Sequence, residues 1–335
     1  MSIPQSPSQA ARLDRLDHLD RQSFPVLEER RFLFVTGKGG VGKTTVSAAL
    51  ALAFAARGKR VLVAMCNTKE RLSAMLGCPP IGDEIMQAAD GVWAVNISPE
   101  KALREYGEMV LKVKSVAHAV FDNKYTKTFF RAVPGLAEWS MLGKAWFHTT
   151  ETLEDGSPRY DVVLFDAPAT GHGMEMLRVP RIILDVAPPG VLRRDAEAAW
   201  AMFQDPARAG VVVVTLPEEM PATETIELSA AIQGELGLTV HRMVVNGVIS
   251  PLFSEDERRT LLADPRRLDI QAPIETAHTP ASALVAGARR AMREDVQHET
   301  MIRLRRTIEL PTVTLPFLFD DASTPAGTRA LAARL

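Results

Sequence analysis

Short runs of consecutive apolar residues, rich in valine, isoleucine and phenylalanine, recur along the chain from residue 31 onward. Strands that are covered on both faces stay apolar through successive positions, as the strands of a parallel sheet do. Helix-length segments separate most of the runs, which predicts a doubly wound α/β fold with a mostly parallel sheet flanked by helices. The predicted strands are RFLFVTG (31–37), RVLVAM (60–65), VWAVNI (92–97), DVVLFDA (161–167), GVVVVTL (210–216), RMVVNGVI (242–249) and TVTLPFL (312–318).

Two parts of the chain depart from this rhythm. Residues 1–30 are polar, and their leucines recur every three positions, which drifts around a helix of 3.6 residues per turn. We expect a loosely ordered arm there, with a partner-binding helix as the alternative. Between the third and fourth runs the chain reads as helices, so a helical subregion is expected at about 98–158. Its aromatic residues are expected to pack internally, with a binding groove as the alternative: Phe121, Phe129, Phe130, Trp139, Trp146 and Phe147.

Composition narrows the class of protein. The 335 residues are 46% hydrophobic and 24% charged, which is typical of a soluble globular protein. A net charge of -2 gives no general attraction for nucleic acid or anionic membrane. The amino terminus lacks the pattern of a signal peptide and no long apolar run occurs, so we expect a cytoplasmic protein without an integral membrane segment. Two cysteines, Cys66 and Cys78, are too few for a four-ligand zinc site or a disulfide framework.

A glycine-rich loop follows the first predicted strand. GKGGVGKT, at 37–44, fits the pattern G-x-x-x-x-G-K-[ST] between a strand and a helix. Backbone N–H groups of such a loop converge on phosphate oxygens, Lys43 reaches the outer phosphates, and the Thr44 hydroxyl can bind Mg²⁺. The loop predicts a nucleoside triphosphate site, whose phosphate-binding residues are Gly37, Lys38, Gly39, Gly40, Val41, Gly42, Lys43, Thr44 and Thr45. A simple phosphate loop does not need the second lysine, Lys38.

A carboxylate follows the fourth predicted strand. Asp166 ends the apolar run DVVLFD, and in a doubly wound sheet ligands bind beyond the carboxyl ends of the strands. A carboxylate at that edge can bind Mg²⁺ through water, so Asp166 and Thr44 are the candidate metal residues. Gly171 and Gly173, a few residues later, permit this loop to reorganise with the outer phosphate.

The form KGGVGKTT, with a lysine directly after the first glycine, resembles the deviant phosphate loop of a family of dimeric ATPases. That family includes the arsenite-pump ATPase, the tail-anchored-protein targeting ATPase, MinD, ParA and the nitrogenase iron protein. The resemblance implies that Lys38 crosses a dimer interface to the partner's nucleotide and neutralises charge on the transferred phosphoryl group, as an arginine finger does. A solvated loop lysine is the alternative.

DVVLFDAPATGHGMEMLRVP, at 161–180, is similar to the second switch of the arsenite-pump and tail-anchored-targeting branch, called ArsA-like here. The resemblance runs from about Arg31 to Leu335 and implies one P-loop ATPase domain over 31–335 that uses ATP/ADP and Mg²⁺. It also implies that Asn246 contacts the adenine edge. The other implied residues are Thr170, Gly171 and His172 in the switch, with Pro316 and Phe317 lining the adenine pocket. Bacterial members with a compact helical region are the nearest resemblance.

Some features depart from the family pattern. The family has an aspartate after the second strand that orients the attacking water, whereas this chain has Asn67, an amide that cannot accept a proton, so slow hydrolysis is expected. Glu70 taking that role, or a shifted alignment, is the alternative. The C-x-x-C of eukaryotic targeting dimers and the clustered cysteines of the arsenite site are missing. The short stretch from Pro180 to Val211 lacks a long methionine-rich insert, which argues against a full groove for a transmembrane helix.

The leading hypothesis is an ATP-hydrolysing dimeric switch that couples its nucleotide state to dimer closure and to a protein client. Its partner is a second copy or a paralogous ATPase. The alternative is a non-hydrolysing or very slow nucleotide-binding partner subunit of such a paralogue, which Asn67 motivates. DNA binding of the ParA kind lacks a basic stripe, because ARRAMRE (288–294) reads as a solvated helix face, and iron-protein redox chemistry would need cluster-ligand cysteines.

Overall fold

The computed structural model describes residues 27–111, 135–168, 172–263, 280–319 and 321–335. The strands are β1 (Phe32–Thr36), β2 (Val61–Cys66), β3 (Met86–Ala89), β4 (Val92–Ile97), β5 (Val162–Asp166), β6 (Ala209–Thr215), β7 (Val240–Val248) and β8 (Thr312–Pro316). The helices are α1 (Lys43–Ala56), α2 (Leu72–Leu76), α3 (Pro99–Leu111), α4 (Leu136–Phe147), α5 (His172–Val186), α6 (Val191–Phe203), α7 (Glu219–Leu236), α8 (Glu255–Leu262), α9 (Pro280–Thr307) and α10 (Pro325–Ala332).

One sheet of eight strands organises the described residues, in the order β3-β4-β2-β5-β1-β6-β7-β8. Every neighbouring pair is parallel except β3 and β4, which are antiparallel. The predicted doubly wound α/β fold is therefore confirmed. β1 lies between β5 and β6, and Val35 is in register with Asp166. The loop after β1 and the end of β5 consequently emerge side by side at the carboxyl edge of the sheet.

Alternate residues of β1 pack into two separate core layers. Phe32 and Phe34 face one layer, where their rings contact those of Phe165 and Phe203 at centroid distances of 4.9–5.9 Å. Leu33 and Val35 face the other layer, which α1 covers with buried Val46, Leu50 and Phe54. Burial on both faces explains why this strand is apolar from Phe32 to Val35.

The predicted strands are confirmed within a few residues at their ends, and the short edge strand β3 was missed. The expected subregion at about 98–158 contains α3 and α4, while residues 112–134, with Phe121, Phe129 and Phe130, lie outside the described part of the chain. Trp139 is buried in the core and Phe147 is 42% exposed. Residues 1–26, which make up most of the expected arm, also lie outside the described residues, and the described part begins at buried Leu27. Across the described ranges, no helix is both long and apolar enough to cross a bilayer.

Candidate nucleotide-binding site

The glycine-rich loop joins β1 to α1, and two of its glycines are required by their neighbours. A Cβ on Gly37 would lie 2.2 Å from the carbonyl oxygen of Val214 in β6. A Cβ on Gly42, whose φ is +91°, would lie 2.3 Å from Nδ2 of Asn246. Gly42 precedes α1 without a side-chain cap, which leaves first-turn N–H groups for an anion. The loop geometry fits a bound phosphate chain.

Lys43 is the first residue of α1, and its side chain returns to the loop. Its Nζ donates hydrogen bonds to the carbonyl oxygens of Gly37, at 3.1 Å, and Lys38, at 3.0 Å. Burial lowers the pKa of this ammonium, and the nearby charge of Asp166 opposes that shift. The loop therefore holds one largely buried cation beside its N–H groups.

Asp166 ends β5 and meets two hydroxyl groups of α1. Thr44 Oγ1 donates to its Oδ2 at 2.7 Å, and Ser47 Oγ donates to its Oδ1 at 3.2 Å. Burial raises the pKa of this carboxyl to about 6, while the two hydroxyl groups and Lys43 oppose the rise. A carboxylate and hydroxyls are the oxygen ligands that Mg²⁺ prefers, so these residues fit a magnesium site. The sequence reading missed Ser47, although it lies three positions after Thr44 and so on the same helix face.

Lys38 lies against α7 of its own chain. Its Nζ forms an ion pair with Glu224 and contacts the Met220 sulfur at 3.1 Å. The Lys38 side chain is 30% exposed and that of Glu224 is 43% exposed. The sequence carried no signal for this pair, because the two residues belong to distant segments.

The residues considered for orienting the attacking water and those expected in the second switch lie in different surroundings. Asn67 follows β2, is exposed and has a φ of +45°, and its N–H donates to the carbonyl oxygen of Ile97 at 2.9 Å. The Glu70 carboxylate accepts hydrogen bonds from the N–H and hydroxyl of Ser73, at 2.7 and 2.6 Å, and so holds the start of α2. His172 is the first residue of α5, and Thr170 and Gly171 lie outside the described residues.

The residues expected around the base gather at the same edge of the sheet. Asn246 Nδ2 donates to the carbonyl oxygen of Val41 at 2.9 Å, which ties β7 to the phosphate loop. Pro316 ends β8, and Phe317 is 42% exposed with its ring edge-on to that of Phe319 at 4.9 Å. The adenine contacts expected of Asn246, Pro316 and Phe317 stay predictions.

A cavity of about 250 Å³ lies next to Asn246, between the loop after β6, the end of β7 and α9. Its lining includes Pro217, Glu218, Gly247, Ile249 and Arg293. Gly247 also faces Phe317, because a Cβ built on it would lie 3.6 Å from that ring. Gly247 therefore borders both the cavity and Phe317, one of the residues expected near the base.

These features define a P-loop protein of the α/β class, in which the residues expected to bind phosphate, metal and base lie at one sheet edge. Residues 30–187 match the family model described as an anion-transporting ATPase. The chain is 27% identical over 304 residues to the ATPase BagA of Mycobacterium tuberculosis, covering 87% of this chain and 88% of that protein.

Two arsenical pump-driving ATPases are also similar. The one from Acidiphilium multivorum is 27% identical, over 68% of this chain and 41% of that protein. One from Escherichia coli is 28% identical, over 65% of this chain and 39% of that protein. The chain thus spans about two fifths of the length of each. The matched family model and these similarities support the ArsA-like ATPase family for this chain.

Proposed function

We propose that this protein binds ATP with Mg²⁺ at the glycine-rich loop and hydrolyses it, as a dimeric switch that couples nucleotide state to closure and to a protein client. The observation that carries the proposal is the pairing of Thr44 with Asp166, which joins the phosphate loop to the end of β5. Family membership supports the same activity, since the relatives are named as ATPases.

Each residue of the site has a chemical role in this proposal. Lys43 and the loop N–H groups hold the phosphates, while Thr44 and Asp166 hold the metal ion. Mg²⁺, when bound, supplies positive charge that neutralises the phosphate oxygens. Asn246, Pro316 and Phe317 hold the base beside the cavity next to Gly247. The switch formed by Thr170, Gly171 and His172 responds to the outer phosphate.

Lys38 serves the partner chain. Its position in a loop directly after β1, with a partly exposed side chain, leaves it able to reach a second molecule. An ammonium group brought across an interface neutralises charge that develops on the transferred phosphoryl group. A second copy or a paralogous ATPase could supply the partner site with the same loop.

Steady-state ATPase assays test the proposal. Lys43→Ala should lower kcat/KM by about 100-fold or more, because it removes a preorganised cation at the phosphates. Asp166→Asn should raise the Mg²⁺ concentration needed for half-maximal rate. Lys59→Ala is the matched control, since Lys59 follows α1 at the opposite edge of the sheet. Wild-type protein without measurable ATP binding at millimolar nucleotide would refute the proposed function.

A second candidate function, a slow or non-hydrolysing partner subunit, is favoured by the environment of Asn67. An amide stands at the exposed end of β2, and the nearby Glu70 carboxylate is engaged by Ser73. Asn67→Asp tests it, because aspartate also tolerates a positive φ and adds a proton acceptor. A rise in hydrolysis of about 100-fold or more supports a slow natural protein. An unchanged and already brisk rate excludes this candidate, and Asn67→Gly controls for the backbone.

A further inference from the structure

Lys38 already has a carboxylate partner within its own chain. Glu224, in the second turn of α7, forms the ion pair with Nζ, and Met220, one turn earlier, contacts the same atom. Under the proposed function, the same ammonium group must lie against a triphosphate that the partner chain holds. One amine cannot occupy both places, so the two anions compete for it.

The helix that carries Glu224 is itself anchored. Arg303 of α9 donates hydrogen bonds to the Glu219 carbonyl oxygen at 3.3 Å and to the Thr223 hydroxyl. Thr223 directly precedes Glu224, so this contact fixes the turn from which the carboxylate projects. The ion pair is therefore built on a held segment of backbone.

We propose that Glu224 is a positioning residue that retains Lys38 on its own chain until a partner's nucleotide takes the ammonium group over. This inference rests on the proposed function and specifies how its dimerisation is regulated. A triphosphate carries more negative charge than a single carboxylate, so it displaces Glu224 from Lys38 when the two chains associate. Without nucleotide, Lys38 stays paired with Glu224 of its own chain, and it does not stabilise a dimer of two nucleotide-free chains.

The strength of the ion pair sets the size of the effect. A pair between partly exposed side chains contributes about 1.4-fold to 5-fold to an equilibrium. A symmetric dimer breaks two such pairs. Removing the carboxylate should therefore strengthen ATP-dependent dimerisation by about 2-fold to 30-fold, the product of the two sites.

The test is sedimentation velocity over a range of protein concentrations, with Mg²⁺ and a non-hydrolysable ATP analogue. The variants are Glu224→Gln, Lys38→Ala and the double variant, and Glu227→Gln is the matched control. Glu227 is an exposed glutamate on the same helix. Glutamine keeps the size of the side chain and removes its charge. We expect Glu224→Gln to dimerise at lower concentration, Glu227→Gln to match the wild type, and the gain to vanish when Lys38 is absent.

Two results overturn the inference alone. If Glu224→Gln strengthens the dimer equally in the Lys38→Ala background, the carboxylate acts by repelling the partner's phosphates and does not position Lys38. If wild-type dimerisation needs nucleotide and Lys38 but Glu224→Gln does not strengthen it, the ion pair with Glu224 does not keep Lys38 from the partner's nucleotide. If the wild type stays monomeric with nucleotide, or Lys38→Ala dimerises normally, the proposed dimer function fails first and the inference fails with it.

Discussion

Gly42 and Asn246 come from distant parts of the sequence, yet their atoms are in contact. The Asn246 amide donates to the Val41 carbonyl oxygen and lies where a Cβ of residue 42 would be. This contact makes Asn246 a support of the phosphate loop in addition to its predicted role at the base. The shape of the loop thus depends on a residue of β7 that carries no part of the glycine motif.

Gly42→Ala should weaken ATP binding more than Gly40→Ala does. Both positions have a positive φ, of +91° and +87°, so both substitutions strain the backbone by about 1–2 kcal/mol. Only at Gly42 does the new methyl group meet another side chain, since the Gly40 position has nothing within 4 Å. Isothermal titration with ATP should show a loss for Gly42→Ala at least about 10-fold larger than for Gly40→Ala. Equal losses would mean that Asn246 moves aside freely.

The sequence predicted some of these contacts and could not predict others. Thr44 and Asp166 were paired in advance, because each belongs to a motif and both motifs end at the same sheet edge. Glu224 gave no signal, since an acidic residue on a half-exposed helix is ordinary and its partner lies in a distant loop. The Asn246 contact with Val41 depends on which residue of β7 lies opposite the loop, and the pattern of apolar residues does not specify that register.

At the scale of secondary-structure elements, α9 is fastened to the segment after β7 by a buried carboxylate. Glu294 accepts hydrogen bonds from the N–H groups of Leu252, at 2.8 Å, and Phe253, at 3.3 Å, and from Arg290 Nε at 2.7 Å. Its side chain is only 1% exposed. Three donors from two segments therefore depend on one acid.

Glu294→Ala should lower the free energy of unfolding by about 3–5 kcal/mol, because it leaves two N–H groups and the partly buried Arg290 guanidinium without this acceptor. Glu294→Gln keeps one acceptor oxygen and should cost less, about 1–3 kcal/mol. Glu299→Ala, an exposed position on the same helix, should stay within about 0.5 kcal/mol of the wild type. Urea denaturation measures all three. A Glu294→Ala value near that of Glu299→Ala would show that water replaces the carboxylate.

β6 and β7 enclose a histidine whose charge state should affect stability. His241 of β7 packs on Gly210 of β6, where a Cβ would lie 1.8 Å from the ring, and its Nε2 is 3.2 Å from the Ala209 carbonyl oxygen. Burial lowers the pKa of His241, and the charges of Arg30 and Arg242 add to this shift, while hydrogen bonds to the Ala209 and Pro206 backbone oppose it. The folded protein therefore favours the neutral ring.

The unfolded chain binds a proton at His241 near pH 6.5, whereas the folded chain binds it only at lower pH. The neutral His241 ring consequently contributes fully to the folding stability above about pH 6.5, and this contribution is lost as the pH falls below about 6.5. His241→Gln keeps an N–H donor without titrating, so its unfolding free energy should decline less between pH 7.5 and 5.5. Because the pKa of Asp166 is raised, its effect on stability has the opposite pH dependence. That effect is the same in the wild type and in His241→Gln, so it cancels when the two are compared. Parallel declines would contradict the prediction.

The elements were predicted unevenly for a physical reason. Long apolar runs mark strands that are covered on both faces, so the central strands and most of β7 and β8 were recognised. β3 has only four residues, MQAA, and its burial is partial because it lies at the edge of the sheet. A short antiparallel edge strand needs no apolar run, and its sequence therefore resembles that of a loop.

At the scale of the whole molecule, the described chain brings the glycine-rich loop, Asp166 and the residues expected around the base to one edge of the sheet, and Lys38 lies at that same edge. The proposal divides one active site between two chains. Under the proposed function, Lys43, Thr44 and Asp166 serve the nucleotide of their own chain, and Lys38 serves that of the partner. This division has a consequence that a single chain acting alone cannot reproduce.

Mixing two inactive variants should restore hydrolysis. A Lys43→Ala chain cannot hold nucleotide but keeps a Lys38 that can serve its partner. A Lys38→Ala chain holds nucleotide and lacks only that residue for the other site. In a mixed dimer, one site is therefore complete. Only the mixed dimer contains a contact between Lys38 and a bound nucleotide, so pairing favours it over both homodimers. At protein concentrations that dimerise every chain, an equimolar mixture should therefore reach between about one quarter of the wild-type rate per chain, for random pairing, and about one half, for exclusively mixed pairing.

The control for this mixture is each variant assayed alone at the same total concentration, where both homodimers lack a complete site. If Lys38 acts within its own chain, no combination of the two variants contains an intact site, and the mixture stays as inactive as its components. Recovery of activity on mixing would thus assign Lys38 to the partner's nucleotide, because no rearrangement within one chain can supply the missing group.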